Sequence, residues 1–261
     1  SVEKKAAQQV DCFTTVSDIT AVECAQFLQR HPDVVTTNGF EKGFIPKGNA
    51  HKEAIKKARK ILTDVAEKTL GHSVHKDALM VGISGRYEFK NKGIDVFIEA
   101  MNQLRQMRHL SKDVIAFIMV PGWIKGPRED LVQHLNGNGD CESEGRCPFV
   151  THELQDPNND PVMNQIKHLG FCNSKDDRVK IIFVPSYLHG DDGVFNVEYY
   201  DLLIGLDLTV FPSYYEPWGY TPHESVAFSV PTVTTTLAGF GAWALKTGDT
   251  KGIDDGVEVI Y

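Results

Sequence analysis

The chain has 261 residues, of which 41% are hydrophobic and 24% charged, proportions that are ordinary for a globular protein. Its formal net charge of -8 argues against nucleic acid as a partner, because phosphate backbones are held by clustered lysines and arginines. No apolar run approaches the roughly 20 residues of a membrane span. Five scattered cysteines favour reduced thiols in the cytoplasm. Cys141 and Cys147 could pair across a short polar loop, and the sequence leaves their role open.

The first 39 residues predict a small unit that precedes the main sheet. A short strand beginning at Phe13 leads into a capped helix over 18–30, and a second strand at Val34 ends at the turn Asn38-Gly39. These elements have no sheet of their own to join. We therefore interpret residues 1–39 as the tail of a domain that begins upstream, and place the domain boundary at that turn.

Beyond the boundary, apolar strands alternate with amphipathic helices, which predicts right-handed βαβ crossovers and a Rossmann-like parallel sheet. A stretch rich in Gly, Asn and Asp over 121–160 interrupts the alternation and is predicted to be partly helical. The predicted helices cover 52–70, 93–107, 162–169, 197–204, 222–228 and 238–246. The predicted strands cover 78–83, 114–120, 179–184, 208–211, 231–235 and 257–261.

A first candidate site follows the strand at 78–83. Gly85 permits a tight turn there, and Arg86, Lys90 and Lys92 present cations just before the next helix. A guanidinium group can fork onto phosphate oxygens and a lysine supplies a point charge, so the pattern indicates phosphate binding. A solvated run of charges would explain the same residues, and spacing alone does not separate the two interpretations.

The second candidate site is the aromatic stretch from Phe211 to Glu224, which joins a strand to a helix start. Ligands of open α/β sheets bind outside the carboxyl ends of strands, and free N–H groups at a helix start attract phosphate. Gly219 would allow close backbone approach, and Glu216 would place a carboxylate over the ligand. Tyr199 could lie under a nucleobase, although tyrosines in such positions are more often core anchors. The alternative for the whole stretch is a surface loop with a solvated glutamate.

Three motifs together resemble the glycogen synthases of animals and fungi. They are Ser84-Gly-Arg-Tyr-Glu-Phe-Lys-Asn-Lys-Gly-Ile-Asp-Val-Phe-Ile-Glu-Ala, Phe211-Pro-Ser-Tyr-Tyr-Glu-Pro-Trp-Gly-Tyr-Thr-Pro-His-Glu and Gly239-Phe-Gly. The resemblance implies a GT-B glycosyltransferase, built of two facing Rossmann-like domains with the active site between them. On this view residues 1–39 are the tail of the N-terminal, acceptor-side domain with the linker. Residues 40–261 are then the C-terminal nucleotide-sugar-binding domain, expected to be truncated at its C-terminal end.

The resemblance also implies an activity. Such an enzyme transfers glucose from UDP-glucose to the non-reducing end of an α-1,4-glucan with retained configuration, and uses neither a metal nor another cofactor. By motif position, Arg86 and Lys92 match the cations on the diphosphate, Glu216 the acid at the glucose and Glu224 the acid near the ribose. As a hypothesis, Glu216 orients the sugar and stabilises positive charge at its anomeric carbon. The other implied donor-binding residues are Tyr199, as the uracil-stacking tyrosine, and Trp218, Gly219, Tyr220 and Thr221.

Two alternatives to this function stay open. One is a related retaining transferase that uses another nucleotide sugar or another acceptor. The other is a non-catalytic nucleotide-sugar sensor or binding module. The expected partners are UDP-glucose or UDP, and a glucan acceptor held by the missing N-terminal domain, while a homo-oligomer is left open. Every version requires that Arg86 and Glu216 open onto one shared cavity.

Overall fold

The computed structural model describes residues 1–137, 147–248 and 250–261. The strands are β1 Thr14–Thr15, β2 Val34–Val35, β3 Leu79–Ser84, β4 Val114–Met119, β5 Ile124–Pro127, β6 His152–Leu154, β7 Val179–Val184, β8 Leu208–Val210, β9 Thr232–Thr235 and β10 Val257–Ile260. The α-helices are α1 Val2–Gln9, α2 Asp18–Phe27, α3 Asn49–Leu70, α4 Ile94–Gln106, α5 Glu129–Leu135, α6 Pro161–His168, α7 Tyr199–Leu203, α8 Tyr220–Ala227 and α9 Gly239–Thr247. None of these helices is long and apolar enough to cross a membrane.

Six parallel strands form the central sheet in the order β10-β9-β8-β3-β4-β7, which confirms the predicted α/β class. Strands β3 and β8 pair at its centre, Val81 opposite Leu208 and Gly82 opposite Thr209. From this pair, β4 and β7 extend the sheet to one side while β9 and β10 extend it to the other. The loops after β3 and β8 therefore lie at the topological switch point, the place where ligands of doubly wound sheets bind.

Both faces of the sheet are covered, as the uninterrupted apolar strands require. In β4, Phe117 joins the hydrophobic cluster under α3 and α7, whereas Ile118 joins the cluster under α4 and α6. The alternation follows from successive side chains pointing to opposite faces of a strand. Every residue of β4 is buried, so this strand lies in the core next to the switch point.

The N-terminal segment forms its own small parallel pair of β1 and β2, separate from the main sheet. Ser17 caps α2 as the sequence predicts, because its Oγ accepts from the Thr20 N–H at 3.3 Å and its own N–H donates to Thr20 Oγ1 at 3.1 Å. Helix α2 packs against α9, and Lys246 pairs with Asp18 at 2.7 Å. The segment thus lies against the same end of the sheet as the candidate site.

Two features of the fold were not predicted from the sequence. The polar start of the chain forms α1, with Ser1 accepting from the Lys4 N–H at 3.2 Å. The 121–160 stretch contains the predicted helix, α5, but also an antiparallel pair of β5 and β6. Long-range contacts fix this pair, since the buried Arg128 donates to the Val150 carbonyl at 2.8 Å. Cys141 lies outside the described residues, and Cys147 is a free thiol.

Candidate functional site

Two loops meet at the switch point, residues 85–93 after β3 (the β3 loop) and residues 211–219 after β8 (the β8 loop). The Tyr214 N–H donates to the Asn91 carbonyl at 2.9 Å, and the Asn91 side-chain amide donates to the Tyr215 carbonyl at 3.3 Å. The two sequence motifs are therefore joined largely through backbone atoms. The frame of the site does not depend on most of the side chains that it carries.

Gly93 lies directly against Pro212 of the β8 loop. Its φ of 67° lies in the left-handed region that side chains disfavour, and an added Cβ would lie 2.0 Å from the Pro212 carbonyl oxygen. Both the positive φ and the short distance to Pro212 disfavour any residue with a side chain at this position. The glycine that ends the β3 loop therefore allows this loop to pack closely against the β8 loop.

The backbone of Glu216 is fixed to the neighbouring strand connection. Its N–H donates to the Leu237 carbonyl and its own carbonyl accepts from the Gly239 N–H, both at 3.1 Å. Its carboxylate forms an ion pair with the Lys92 ammonium group, and the two side chains are only 11% and 12% exposed. The structure thus brings the two predicted residues into direct contact, a pairing that the spacing of the motifs does not reveal.

Arg86 and Glu216 line one cavity of about 390 Å³, so the shared hollow that the sequence interpretation requires is present. We call it the Glu216 cavity. Its other lining residues are Val16, Asn38, Gly85, Lys92, Pro217, Trp218, Gly219, Tyr220 and Thr221.

A larger cavity of about 500 Å³, the Tyr199 cavity, adjoins the Glu216 cavity. Gly85, Arg86 and Thr221 line both of them. Tyr199 and Glu224 line the Tyr199 cavity and not the Glu216 cavity, so the predicted residues divide between two adjoining cavities. The division separates the positions implied for the base and ribose from those implied for the sugar.

The cations of the β3 loop differ in their environments. Arg86 is 75% exposed and pairs with Glu88 at 3.0 Å, an exposed contact of small energetic worth that leaves the guanidinium available to a ligand. Lys90 pairs instead with Asp95 at 2.7 Å and lines neither cavity. Of the three cations in the first motif, Arg86 and Lys92 line the candidate site, whereas Lys90 binds Asp95 in the first turn of α4.

Helix α8 starts at the floor of the Glu216 cavity. Gly219, with φ of 97°, precedes its first turn, and no side chain caps that end. Within the described part of the chain, the N–H groups of Gly219, Tyr220 and Thr221 have no hydrogen-bond acceptor. Such donors, together with the positive end of the helix dipole, favour an anion at this position.

Burial raises the pKa values of three residues that line the Tyr199 cavity, namely Tyr199, Tyr200 and Glu224. Tyr199 shares a 2.6 Å hydrogen bond with Ser84 at the end of β3, and burial raises the pKa of its hydroxyl. Tyr200 donates to Glu224 at 2.9 Å; burial and that carboxylate raise the pKa of Tyr200 to about 12. Burial also raises the pKa of Glu224, against the opposing effect of this hydrogen bond. Tyr199 is thus anchored through its hydroxyl with its ring at the cavity wall.

One aromatic feature of the Tyr199 cavity escapes sequence reasoning. Tyr187 is 66% exposed and stacks on His189, with ring centroids 5.4 Å apart and planes 11° apart. Both residues line the cavity and follow β7, the third strand to end at this edge of the sheet. The sequence signal that could have identified them is their position just after the strand predicted at 179–184. An exposed flat pair of rings suits a planar ligand.

Trp218 differs from the other predicted donor-binding residues, because its side chain is only 3% exposed although it lines the Glu216 cavity. Its indole N–H donates to His223 at 3.1 Å, and the ring packs against Phe240. The indole therefore supports the β8 loop from beneath. Among the residues that the structure describes, no group of three or more His, Cys, Asp or Glu side chains is placed to hold a metal.

Tyr87 anchors the turn that carries Arg86. Its hydroxyl donates to Asp160 at 2.6 Å and accepts from the Val162 N–H at 3.3 Å, and its ring packs edge-on against Phe183. Burial and the carboxylate raise the pKa of Tyr87, so the hydroxyl remains a donor. The residue next to the exposed cation is thus fixed to the start of α6.

The substitution Tyr87→Phe tests this anchor. We expect the free energy of unfolding to fall by about 1.5 to 3 kcal/mol, because a buried hydrogen bond to a carboxylate is lost while the ring remains. Urea denaturation measures the change. Tyr214→Phe, at a side chain that is 54% exposed, is the matched control and should change stability little. Equal losses in the two variants would contradict the anchoring role.

Comparison with protein families gives a match across nearly the whole chain. The family described as glycogen synthase matches residues 1–133 and 141–260. Glycogen [starch] synthase isoform 1 of Saccharomyces cerevisiae is 32% identical over 93% of this chain and 43% of its own length. The liver glycogen [starch] synthase of Mus musculus is 31% identical over 93% of this chain and 42% of its own length. The chain therefore spans less than half the length of these relatives.

Solved structures with a similar fold are more distant in sequence. The Anabaena protein Alr3699/HepE in complex with UDP-glucose matches with a TM-score of 0.55 at 17% identity, over 100% of this chain and 52% of that one. Sucrose-phosphate synthase from Thermosynechococcus elongatus matches with a TM-score of 0.52, also at 17% identity, over 99% of this chain and 47% of that one. At such identities the likeness concerns the fold, a GT-B type in which this chain corresponds to about one half.

Proposed function

Because the chain belongs to the glycogen synthase family, we propose that it is the donor-binding half of a retaining glycogen (starch) synthase. Such an enzyme transfers glucose from UDP-glucose to the non-reducing end of an α-1,4-glucan. The observation that supports the proposal is the meeting of Arg86, Lys92 and Glu216 in one cavity at the switch point of the sheet. We assign residues 1–39 to the tail of the acceptor-side domain and the linker, and residues 40–261 to the donor domain.

In the proposed reaction the bond between the anomeric carbon and the β-phosphate oxygen breaks, and negative charge accumulates on the departing UDP. Arg86, Lys92 and the N–H groups at the start of α8 are the groups that would meet this charge. Fixed donors of this kind stabilise the transition state more than the ground state, because the charge develops during the reaction. Each charge-assisted hydrogen bond contributes about 1.5 to 3 kcal/mol.

The contact between Lys92 and Glu216 gives donor binding a further consequence. In the structure the ammonium group already neutralises the carboxylate, and both lie in the cavity wall. A diphosphate that enters the cavity competes with Glu216 for Lys92. Donor binding would then free the carboxylate to orient the glucose and to stabilise positive charge at its anomeric carbon. Glu216 does not need to form a covalent bond in this scheme.

The nucleoside would occupy the Tyr199 cavity, which shares Arg86 and Thr221 with the Glu216 cavity. We propose Tyr199 as the surface beneath the uracil and Glu224 as the group near the ribose hydroxyls. Stacking of a base on an aromatic side chain contributes about 1 to 3 kcal/mol. The free thiols among the described residues agree with the proposed cytoplasmic location.

Calorimetric titration of this chain with UDP, UDP-glucose and ADP-glucose tests the proposal. We expect weak binding of UDP and UDP-glucose, weaker binding of ADP-glucose, and no extension of a glucan by the chain alone, because on this proposal residues 1–39 are only the tail of the acceptor-side domain. Preference for ADP-glucose would favour the related transferase instead. Failure to bind any of the three would refute the donor site, and glucan extension by the isolated chain would refute the division of labour between the halves.

A further inference from the structure

A third cavity, of about 340 Å³, lies between the N-terminal segment and one face of α9. We call it the α9 cavity. The α9 residues that line it recur at spacings of three and four, so they share one face of the helix. They are Gly239, Ala242, Trp243, Lys246 and Thr247, and the remaining lining residues are Ser17, Asp18, Val35, Thr37 and Trp218.

The α9 cavity is a neighbour of the Glu216 cavity. Trp218 lines both, and two pairs of adjacent residues divide between them. Val16 and Asn38 line the Glu216 cavity, whereas Ser17 and Thr37 line the α9 cavity. A polymer whose end reaches Glu216 therefore has a second recess beside it, bounded by the same segment of the chain.

The side chains of the α9 cavity combine a fixed aromatic surface with exposed charges. Trp243 is 38% exposed, and its indole packs on Phe240 and Trp218 at centroid distances of 6.0 and 5.9 Å. Beside it, the side chains of Asp18 and Lys246 are 56% and 68% exposed and pair at 2.7 Å. An ion pair this exposed contributes little to stability, so both groups are free to bond to a ligand.

We propose that the α9 cavity binds a glucosyl unit of the α-1,4-glucan acceptor, an inference that rests on the function proposed above. A pyranose ring has flat apolar faces and a rim of hydroxyl groups. Trp243 packs against one face of the ring, Asp18 accepts hydrogen bonds from the hydroxyls and Lys246 donates to them. A mostly apolar recess with a few polar groups is the usual form of a small-molecule site.

Calorimetric titration of this chain with maltoheptaose tests the proposal. We expect measurable binding, weakened about tenfold by Trp243→Ala through loss of the aromatic contact. Trp123→Ala is the matched control, because Trp123 is 88% exposed and lines none of the three cavities. Trp243 also packs in the protein interior, so the double variant Asp18→Asn/Lys246→Met provides a test that leaves the aromatic cluster intact. We expect it to weaken maltoheptaose binding about fivefold.

Binding of UDP, measured on the same variants, separates this inference from the proposed function. UDP affinity should stay unchanged in the Asp18→Asn/Lys246→Met variant, since neither residue lines the donor cavities. Absence of maltoheptaose binding to the unaltered chain, or equal binding by this variant, would overturn the α9 site while leaving a UDP site in place. Loss of UDP binding with maltoheptaose binding retained would reject the donor site alone.

Discussion

Gly93→Ala is expected to lower the free energy of unfolding by about 3 kcal/mol or more. A left-handed alanine costs about 1 to 2 kcal/mol, and the Cβ placed 2.0 Å from the Pro212 carbonyl oxygen forces the β3 and β8 loops apart. Because that movement separates Lys92 from Glu216, UDP binding should fall as well. Urea denaturation and titration with UDP measure the two effects.

Gly170 provides a close control for this prediction. Its φ of 68° nearly equals the 67° of Gly93, but an added Cβ there meets nothing within 4 Å. Gly170→Ala should therefore show the backbone cost alone, about 1 to 2 kcal/mol, with UDP binding unchanged. If the two alanine variants were equally stable, the contact between the loops would not be the source of the effect.

Lys92→Met is expected to impair stability and binding together. It leaves the carboxylate of Glu216 largely buried without its partner, and breaking a buried pair from one side costs about 3 to 5 kcal/mol, less where some solvent reaches the group. UDP binding should weaken roughly tenfold to a hundredfold through loss of a charge-assisted hydrogen bond. Thermal unfolding and calorimetry measure the two losses.

The double variant Lys92→Met/Glu216→Gln separates these losses. Removing both charges should restore most of the stability but none of the UDP affinity. Glu216→Gln alone should bind UDP at least as tightly as the unaltered chain, since the phosphate no longer competes with a carboxylate for Lys92. Lys90→Met, two residues away at a side chain that is 77% exposed, should change both measurements little. Recovery of UDP affinity in the double variant would remove Lys92 from the proposed donor site.

The central sheet could be predicted because its signals are local. The strand at 179–184 has the predicted bounds, and α4 and α9 differ from the prediction by a residue or so at their ends. Buried parallel strands appear in a sequence as continuous apolar runs, and glycines or turns mark their ends. The structure adds the strand order, in which β3 and β8 are neighbours, so the two motifs lie side by side at one edge of the sheet.

The remainder depends on contacts between distant residues. The β5 and β6 pair relies on Arg128 reaching Val150, and the neutralisation of Lys92 by Glu216 spans two loops. Neither leaves a periodic pattern in the sequence. Tyr187 was not predicted as a site residue, because a tyrosine after a strand is common. Only its exposure and its stacking on His189 distinguish it. The sequence thus predicts which residues come together at this site better than it predicts which of them form ion pairs or stack on one another.

The hydrogen bonds between the β3 and β8 loops bear on how such a site can diversify. The Tyr214 N–H to Asn91 carbonyl bond involves main-chain atoms, and the Gly93 contact depends on the absence of a side chain. Exchanging the side chains at 214 and 215 would leave this scaffold intact, whereas inserting or deleting one residue in either loop would misalign both. Homologues that have acquired a different sugar preference should therefore keep both loop lengths and differ in the residues that project from them.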